Sequence, residues 1–518
     1  MQMTGPGRPD GGWCGERWAG VAETHSAVVF FTGDRAWKLK KPVSLGFLDF
    51  STPQARARAC ARETDLNRRF APGEYLGVAE VRGPKGEVCD HLVVMRRMPA
   101  SRRLSSLVTS HAPVAGALRQ LARILSVQHA RAGRGPQISE QGSRDALRQR
   151  WADNISQARQ WTGERVPPGP LDPAAIEETE RLAYRFLAGR VPLFDARIRD
   201  GRIVDGHGDL LADDIFCLDD GPRILDCLDF DDRLRWLDGL DDAAFLAMDL
   251  ERLGAADLAE HFMACYAEYS ADPAPASLRH HYVAYRAFVR AKVTCLREDP
   301  AAGLEANHLA EIALRHLRAG AVILVLAGGL PGTGKSTLAG AVADRLGYTV
   351  LDSDRIRKEL AGLPAETSAR APYETGIYTP EWTERAYREL MHRATALLAR
   401  GESVIADASF TSARQRIAAA TAAAAVSADL IQLRCTASRE LAARRLCTPA
   451  RGASDADEAI AAQMEAAADP WPDATVIDTE DGGTTGPHTG SVQQALQAIR
   501  PHGPGYVWHP SRPYMCPG

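Results

Sequence analysis

The 518-residue chain lacks a long apolar run. Its longest, Ala321–Ala327, falls far short of the ~20 residues a membrane helix needs and suits a buried strand instead. Residues 1–16 lack the apolar core of a signal peptide; they are Gly- and Pro-rich and read as an irregular, disordered segment. Charge of one sign is also lacking. With 62 Lys and Arg against 66 Asp and Glu, the net charge of -4 gives no general attraction to nucleic acid or an anionic membrane. The ten cysteines contain no C-x-x-C pair and no Cys/His cluster at zinc spacing, which argues against structural zinc and disulfides. A cytoplasmic protein with buried free thiols is the expectation, with neither nucleic acid nor membrane as partner. No internal repeat occurs, and oligomeric state is not legible.

Apolar residues at 45% and charged residues at 25% suit ordinary folded domains. The length exceeds one hydrophobic core and calls for two to four domains. From Val28 to Met98 strand-like runs surround one helical stretch, and from Val114 to Arg318 the pattern is mostly helical with strand-like pieces near 203–230. At Val322 a new strand opens β-α alternation lasting to about Arg500, so a boundary falls near Ala319–Gly320. The resulting division is 1–16 irregular, 17–318 and 320–500 folded, and 501–518 an irregular Pro-rich tail. A Gly/Pro-rich loose segment spans Gly163 to Pro170.

The run Val322–Leu326 has the β-branched, Leu-rich character of a central parallel strand covered on both faces. It leads into Gly329-Leu330-Pro331-Gly332-Thr333-Gly334-Lys335-Ser336 and then a helical pattern from Thr337 to Leu346. This is a complete G-x-x-x-x-G-K-S motif in its strand–loop–helix context. Its glycines let several N–H groups, including that of Thr333, turn inward on a phosphate, and the helix adds its positive end. Lys335 bridges phosphates as a point charge and Ser336 is a Mg²⁺ ligand in such loops.

A second strand at Tyr348–Leu351 runs into Asp352-Ser353-Asp354-Arg355-Ile356-Arg357. Acidic residues at the carboxyl edge of a parallel sheet stand where ligands bind. Asp354 suits a base for an attacking hydroxyl and Arg357 a holder of an acceptor phosphate or carboxylate, although Asp352, Ser353 or Asp354 also suits a helix N-cap. A third strand, Ser403–Ser409, carries Asp407, either a Mg²⁺-holding acid or a substrate-site residue. Arg434, Arg439, Arg444, Arg445 and Arg451 follow, and arginines here suit a cover over phosphates, with Arg445 and Arg451 as ATP contacts. Residues 320–500, in the order P-loop, "LDSDRIRKEL", "VIADASF", resemble the zeta-toxin-like and gluconate-kinase-like P-loop kinases. The resemblance implies transfer of the γ-phosphoryl of ATP to a small acceptor.

Upstream, His207-Gly208-Asp209-Leu210 precedes Asp214 and then Ile224-Leu225-Asp226-Cys227-Leu228-Asp229-Phe230. A hairpin is expected at Val28–Thr32, Gly33-Asp34 and Arg35–Lys40, placing Ala36, Lys38 and Lys40 on one strand face. A helix from about Pro53 to Arg69 carries Glu63, a partner for Lys38, with Lys40 as the competing lysine. These motifs resemble the aminoglycoside phosphotransferases, which share the protein-kinase fold. The resemblance implies Asp209 as the residue facing the acceptor hydroxyl, Asp214 and either Asp226 or Asp229 as metal ligands, and Lys38 with Glu63 at the ATP phosphates. Asp214 stands where that family usually has Asn, which adds negative charge, and no G-x-G-x-x-G precedes Lys38. Asp238, Asp241, Asp242 and Asp249 are candidates for an acidic acceptor pocket.

From residue 20 to 500, nearly the whole chain, the order of domains resembles bacterial bifunctional proteins with an aminoglycoside-phosphotransferase-like part followed by an ATP-binding part. The expected fold is therefore an α+β protein-kinase-like domain followed by an α/β P-loop domain with a parallel sheet. The expected activity is ATP- and Mg²⁺-dependent phosphoryl transfer to a small-molecule hydroxyl. An ATP-gated regulator with a degenerate first domain, or a P-loop kinase acting on a nucleotide sugar or a nucleic-acid end, are the alternatives.

Overall fold

The computed structural model describes residues 19–23, 26–43, 49–162, 170–297, 300–364, 367, 369, 372–447, 456–480 and 489–499. The irregular ends expected at 1–16 and 501–518, nearly all of 163–170, and Arg451 lie outside the described residues. The chain divides into two compact units, one of residues 1–142 with 201–272 and one of 143–200 with 273–518.

The first unit opens with the strands β1 (Ala19–Glu23), β2 (Ala27–Thr32), β3 (Arg35–Lys40), β4 (Tyr75–Arg82) and β5 (Val88–Arg96). They form an antiparallel sheet in the order β1-β2-β3-β5-β4. The expected hairpin is present, with Thr32 opposite Arg35 and Gly33 at φ 57°, the left-handed turn conformation that glycine adopts at no steric cost. Helix Pro53–Asn67 starts on Thr52, whose Oγ1 accepts the Ala55 N–H at 3.1 Å, with Pro53 in the first turn where a missing N–H costs nothing. Its buried stripe is unusually polar: Arg56, Cys60, Glu63, Thr64 and Asn67. Arg56 reaches Asp90 and the Phe50 carbonyl, while Cys60 packs with Ala71, Tyr75 and Val93. Two small antiparallel ribbons follow, β6 (Ile203–Asp205) with β9 (Trp236–Asp238), and β7 (Ile215–Leu218) with β8 (Gly221–Ile224). Helix Gly239–Arg252 follows β9 directly and is buried along almost its whole length.

The second unit holds the parallel sheet β11-β12-β10-β13-β14, made of β10 (Ile323–Gly328), β11 (Thr349–Asp352), β12 (Val404–Asp407), β13 (Asp429–Thr436) and β14 (Thr475–Asp478). Strand β10 is central and buried throughout, as its apolar run predicts. Val325, Ala327, Leu338, Val342, Ile405 and Ile477 share its core. Helices Arg144–Ala158, Pro173–Ala188, Val191–Arg199, Ala276–Thr294 and Pro300–Ala319 belong to this unit as well. They are tied in tightly: Arg190, 1% exposed, donates to the Val426 carbonyl at 2.6 Å, and Ser277 Oγ donates to the Gly401 carbonyl at 2.7 Å. The compact units are thus cut elsewhere than at residue 319, because helices upstream of it bury their faces against the P-loop portion. Among the described residues all eight cysteines are free, and no helix is long and apolar enough to cross a membrane.

Candidate active sites

In the first unit, Lys38 lies between Glu63 Oε1 at 2.9 Å and Asp226 Oδ1 at 2.6 Å. Lys40, two residues on, reaches Glu63 Oε2 at 2.7 Å and Asp229 Oδ2 at 2.8 Å. Glu63 therefore bridges both lysines, and each lysine takes a different aspartate. Burial opposes the charge on Lys38, but Asp226 and Glu63 hold its ammonium well above the ordinary range. Lys38 in turn lowers Asp226. Burial pushes Asp214 well above the carboxylate range, reinforced by Asp226 and Asp209, so these three carboxylates share one space. Asp229 faces Lys40 instead. Of the two acids the motif left open, Asp226 pairs with Lys38 and lies with Asp209 and Asp214, while Asp229 pairs with Lys40.

Asp226 takes φ 61°, a left-handed conformation that non-glycine residues rarely adopt. Two side chains hold it there. The buried Tyr75 hydroxyl accepts the Asp226 N–H at 3.1 Å, and Asn67 Oδ1 accepts the Cys227 N–H at 2.8 Å. The His207-Gly208-Asp209 loop is fixed by Asp242, which accepts the N–H groups of His207 at 2.7 Å and Gly208 at 2.9 Å and contacts His129 Nε2 at 3.0 Å. His207 is fully buried, and burial lowers its basicity. Its Nε2 faces the Leu225 carbonyl at 3.1 Å, so that nitrogen carries the proton and Nδ1 accepts from the Asp209 N–H at 3.4 Å.

The acidic acceptor pocket expected from Asp238, Asp241, Asp242 and Asp249 does not form: all four are at most 2% exposed. Asp238 caps a helix through the Leu240 N–H, and Asp249 accepts from Ala212 N and Arg252. An acidic run at a helix start reads alike whether it faces solvent or the backbone of a neighbouring loop. Sequence reasoning also missed Tyr75 and Asn67, which belong to no motif.

In the second unit, Gly329, Gly332 and Gly334 have φ of 143°, 81° and 81°. A Cβ on Gly329 would meet the Cys435 carbonyl at 2.6 Å, and one on Gly332 the Ala442 carbonyl at 2.6 Å, so the loop closes only with glycine at both. Thr333 is buried, with its Oγ1 donating to the Leu330 carbonyl at 2.7 Å. Helix Lys335–Leu346 starts on Gly334. Ser336 hydrogen-bonds Asp407, and Thr337 is exposed at the same helix start. Asp407 is 3% exposed, and its Oδ1 has no hydrogen-bond partner. Burial pushes it up to about 6 against the pull of Lys335 and Ser336. Arg445 Nη1 approaches the Gly332 carbonyl at 3.3 Å and Thr479 Oγ1 at 3.1 Å, so it braces the P-loop backbone. Thr479, also missed, donates to the Thr333 carbonyl at 2.8 Å.

Asp352, not Asp354, is the helix N-cap, accepting the Arg355 N–H at 2.8 Å. Asp354 is raised by burial against the pull of Lys335. With Lys335, Arg357, Tyr387 and Ser409 it lines a cavity of about 740 Å³. Arg357, 5% exposed, lies over the Tyr378 ring and donates to the Ile377 carbonyl and Thr383, leaving its Nε without a hydrogen bond.

Fold and site together define a chain with two kinase-like portions, a protein-kinase-like fold followed by a P-loop kinase-like fold. A family model described as AAA domain matches residues 324–471. Among relatives, uncharacterized proteins of Mycobacterium tuberculosis and Mycobacterium bovis are 44% identical over 483 residues, covering 93% of this chain and 95% of each relative. The chain belongs to the same family as these mycobacterial proteins. Among solved structures, a choline/ethanolamine kinase family protein from Mesorhizobium loti is 14% identical and covers 59% of this chain and 94% of its own, with a TM-score of 0.35. A gluconokinase from Sinorhizobium meliloti is 18% identical, covering 35% and 91%, with a TM-score of 0.24.

Proposed function

We propose that this protein is an ATP- and Mg²⁺-dependent phosphotransferase with two nucleotide sites, moving the γ-phosphoryl of ATP onto a hydroxyl of a small-molecule acceptor. The observation that carries the reading is the buried, unpartnered Asp407 Oδ1 beside Ser336, at a P-loop that opens onto the 740 Å³ cavity. An unpaired buried carboxylate oxygen is costly, and a hydrated cation offsets that cost. Ser336 and Asp407 are the residues that would hold Mg²⁺, which would supply charge neutralisation at the phosphates. The N–H groups of Gly332, Gly334 and Lys335 and the Lys335 ammonium hold the phosphates. Asp354 takes the proton of the acceptor hydroxyl, which its elevated proton affinity suits. Arg357 holds an anionic group of the acceptor. In the first site Lys38 and Glu63 serve the phosphates, Asp209 the acceptor hydroxyl, and Asp214 with Asp226 the metal. The two functional stretches are 17–318 and 320–500, acting in the cytoplasm on small molecules.

A specific observation favours binding without transfer at the first site: Asp226 is spent on an ion pair with Lys38 at 2.6 Å. One assay addresses both readings. Wild type, Asp209→Ala and Lys335→Ala are incubated with labelled ATP, Mg²⁺ and a library of hydroxyl metabolites. Labelled product lost in Lys335→Ala supports transfer at the P-loop, and loss in Asp209→Ala supports it at the first site. Tight ATP uptake with no labelled product from any acceptor makes the chain a nucleotide-gated regulator.

A further inference from the structure

The turn after β12 builds a contact that no motif names, and its meaning rests on phosphoryl transfer at the P-loop. Phe410 has φ 49°, a left-handed conformation that is a genuine outlier for a bulky aromatic residue. Its ring is fully buried, edge-on to Tyr387 and tilted on Trp471. Its N–H donates to the Tyr387 hydroxyl at 3.1 Å, and its carbonyl accepts from Arg416 Nη1 at 2.8 Å. Arg416 also reaches the Pro470 carbonyl at 2.7 Å and lies over Trp471. Tyr387, Trp471 and Arg416 thus hold one strained residue in place.

What the strain achieves is the placement of Ser409. The Ser409 carbonyl accepts the N–H of Gly329, the first P-loop glycine, at 3.1 Å, and Ser409 also lines the cavity together with Lys335, Asp354 and Arg357. Tyr387 lies 3.1 Å from Ser409 Oγ. With the tyrosine oxygen accepting from Phe410, the arrangement that leaves no buried donor unsatisfied has the Tyr387 proton on Ser409 Oγ. The Ser409 O–H is then directed into the cavity.

We infer that Ser409 is a further catalytic residue of the P-loop site, binding the oxygen of the acceptor hydroxyl, with Tyr387 as its positioning residue. In the transfer, that oxygen loses its proton to Asp354 and bonds to the γ-phosphorus. The bond from the γ-phosphorus to the β–γ bridging oxygen breaks, and ADP leaves with the electron pair. Ser409 keeps its own proton throughout and acts by orientation. Because one residue bonds the P-loop by its carbonyl and the acceptor by its hydroxyl, it sets the distance between donor and acceptor.

The test uses the full chain carrying Asp209→Ala, with water as the acceptor. ADP release from Mg-ATP is measured alongside ATP uptake by calorimetry. Ser409→Ala is expected to lower kcat about tenfold with the KM for ATP changed less than about twofold, the loss of one hydrogen bond in the transfer step. Ser409→Thr, which keeps a hydroxyl, restores turnover, and Tyr387→Phe loses about threefold with the same split between kcat and KM. Unchanged turnover in Ser409→Ala, or a raised KM with kcat intact, overturns the inference and makes the turn a support of the P-loop alone. If Ser409→Ala does not fold, Tyr387→Phe decides: wild-type kcat overturns the inference. A parent that takes up no ATP, or takes it up and releases ADP with neither water nor any member of the hydroxyl-metabolite library, fails before any change at Ser409 and overturns the phosphoryl-transfer reading as well.

Discussion

The two sites solve one local problem in the same way and treat their charges differently. In each, a residue with left-handed backbone follows a strand closely, Asp226 after β8 and Phe410 after β12. In each, a buried tyrosine hydroxyl, Tyr75 or Tyr387, accepts that residue's N–H. The charges differ. The first site closes on itself, with Lys38, Lys40, Glu63, Asp226 and Asp229 in one paired network. The second leaves Asp407 Oδ1 buried and unpaired. A ligand entering the first site must displace ion pairs, whereas one entering the second meets a carboxylate oxygen that neither a hydrogen bond nor an ion pair holds. The difference teaches that matching residue types alone do not make two candidate nucleotide sites equally ready.

The largest effect that sharpens this comparison is expected at Lys335. Lys335→Ala should cut turnover at the P-loop about 10³-fold, and a calorimetric titration with Mg-ATP should lose its tighter phase and keep the weaker. Loss of the weaker phase instead would reverse the ranking of the sites. Next come the two aspartates of the first site. Asp226→Asn should reduce its turnover about 10²-fold. Asp229→Asn should leave turnover nearly intact and cost about 1–3 kcal/mol of stability, because it strips a partner from buried Lys40. Urea unfolding beside single-turnover assays separates them, and equal kinetic losses would refute the distinction drawn between Asp226 and Asp229.

Acidification should weaken Mg²⁺-dependent nucleotide uptake at the P-loop about tenfold per pH unit below about 6. The sign follows from the carboxylate of Asp407, pushed up to about 6 by burial: the metal takes the deprotonated form, which is lost as pH falls through that value. Fluorescence titration of a nucleotide analogue across pH checks this, and Asp407→Asn should flatten the profile. The smallest effect is on stability. Tyr75→Phe leaves the Asp226 N–H without its acceptor and should cost about 1–2 kcal/mol in thermal or urea unfolding. No change would show that Asn67 alone suffices to hold the turn.

Much of this was legible along the chain because the signals are local. The P-loop glycines, Lys335 and Ser336 are contiguous, and their strand and helix are set by apolar periodicity and by glycine's freedom at positive φ. The hairpin at Gly33 and the Pro53 helix start rest on turn and cap chemistry within a few residues. What the one-dimensional pattern left open was pairing over long separations. Lys38 and Lys40 share a strand face, and Asp226 and Asp229 lie three apart, so only packing assigns Asp226 to Lys38 and Asp229 to Lys40. The acidic residues from Asp238 to Asp249 misled for the same reason, since whether a carboxylate meets water or a loop's N–H groups depends on what folds over it.

By itself, then, the sequence determined the two kinase-like portions, the phosphate loop and the set of candidate acids, because each is written in neighbouring residues whose backbone preferences are short-ranged. Tertiary structure alone decided which carboxylates are paired, which is left with an unpaired oxygen, and which tyrosines hold the strained turns. Those outcomes depend on burial and on hydrogen bonds between distant segments, and both exist only once the chain has closed around them.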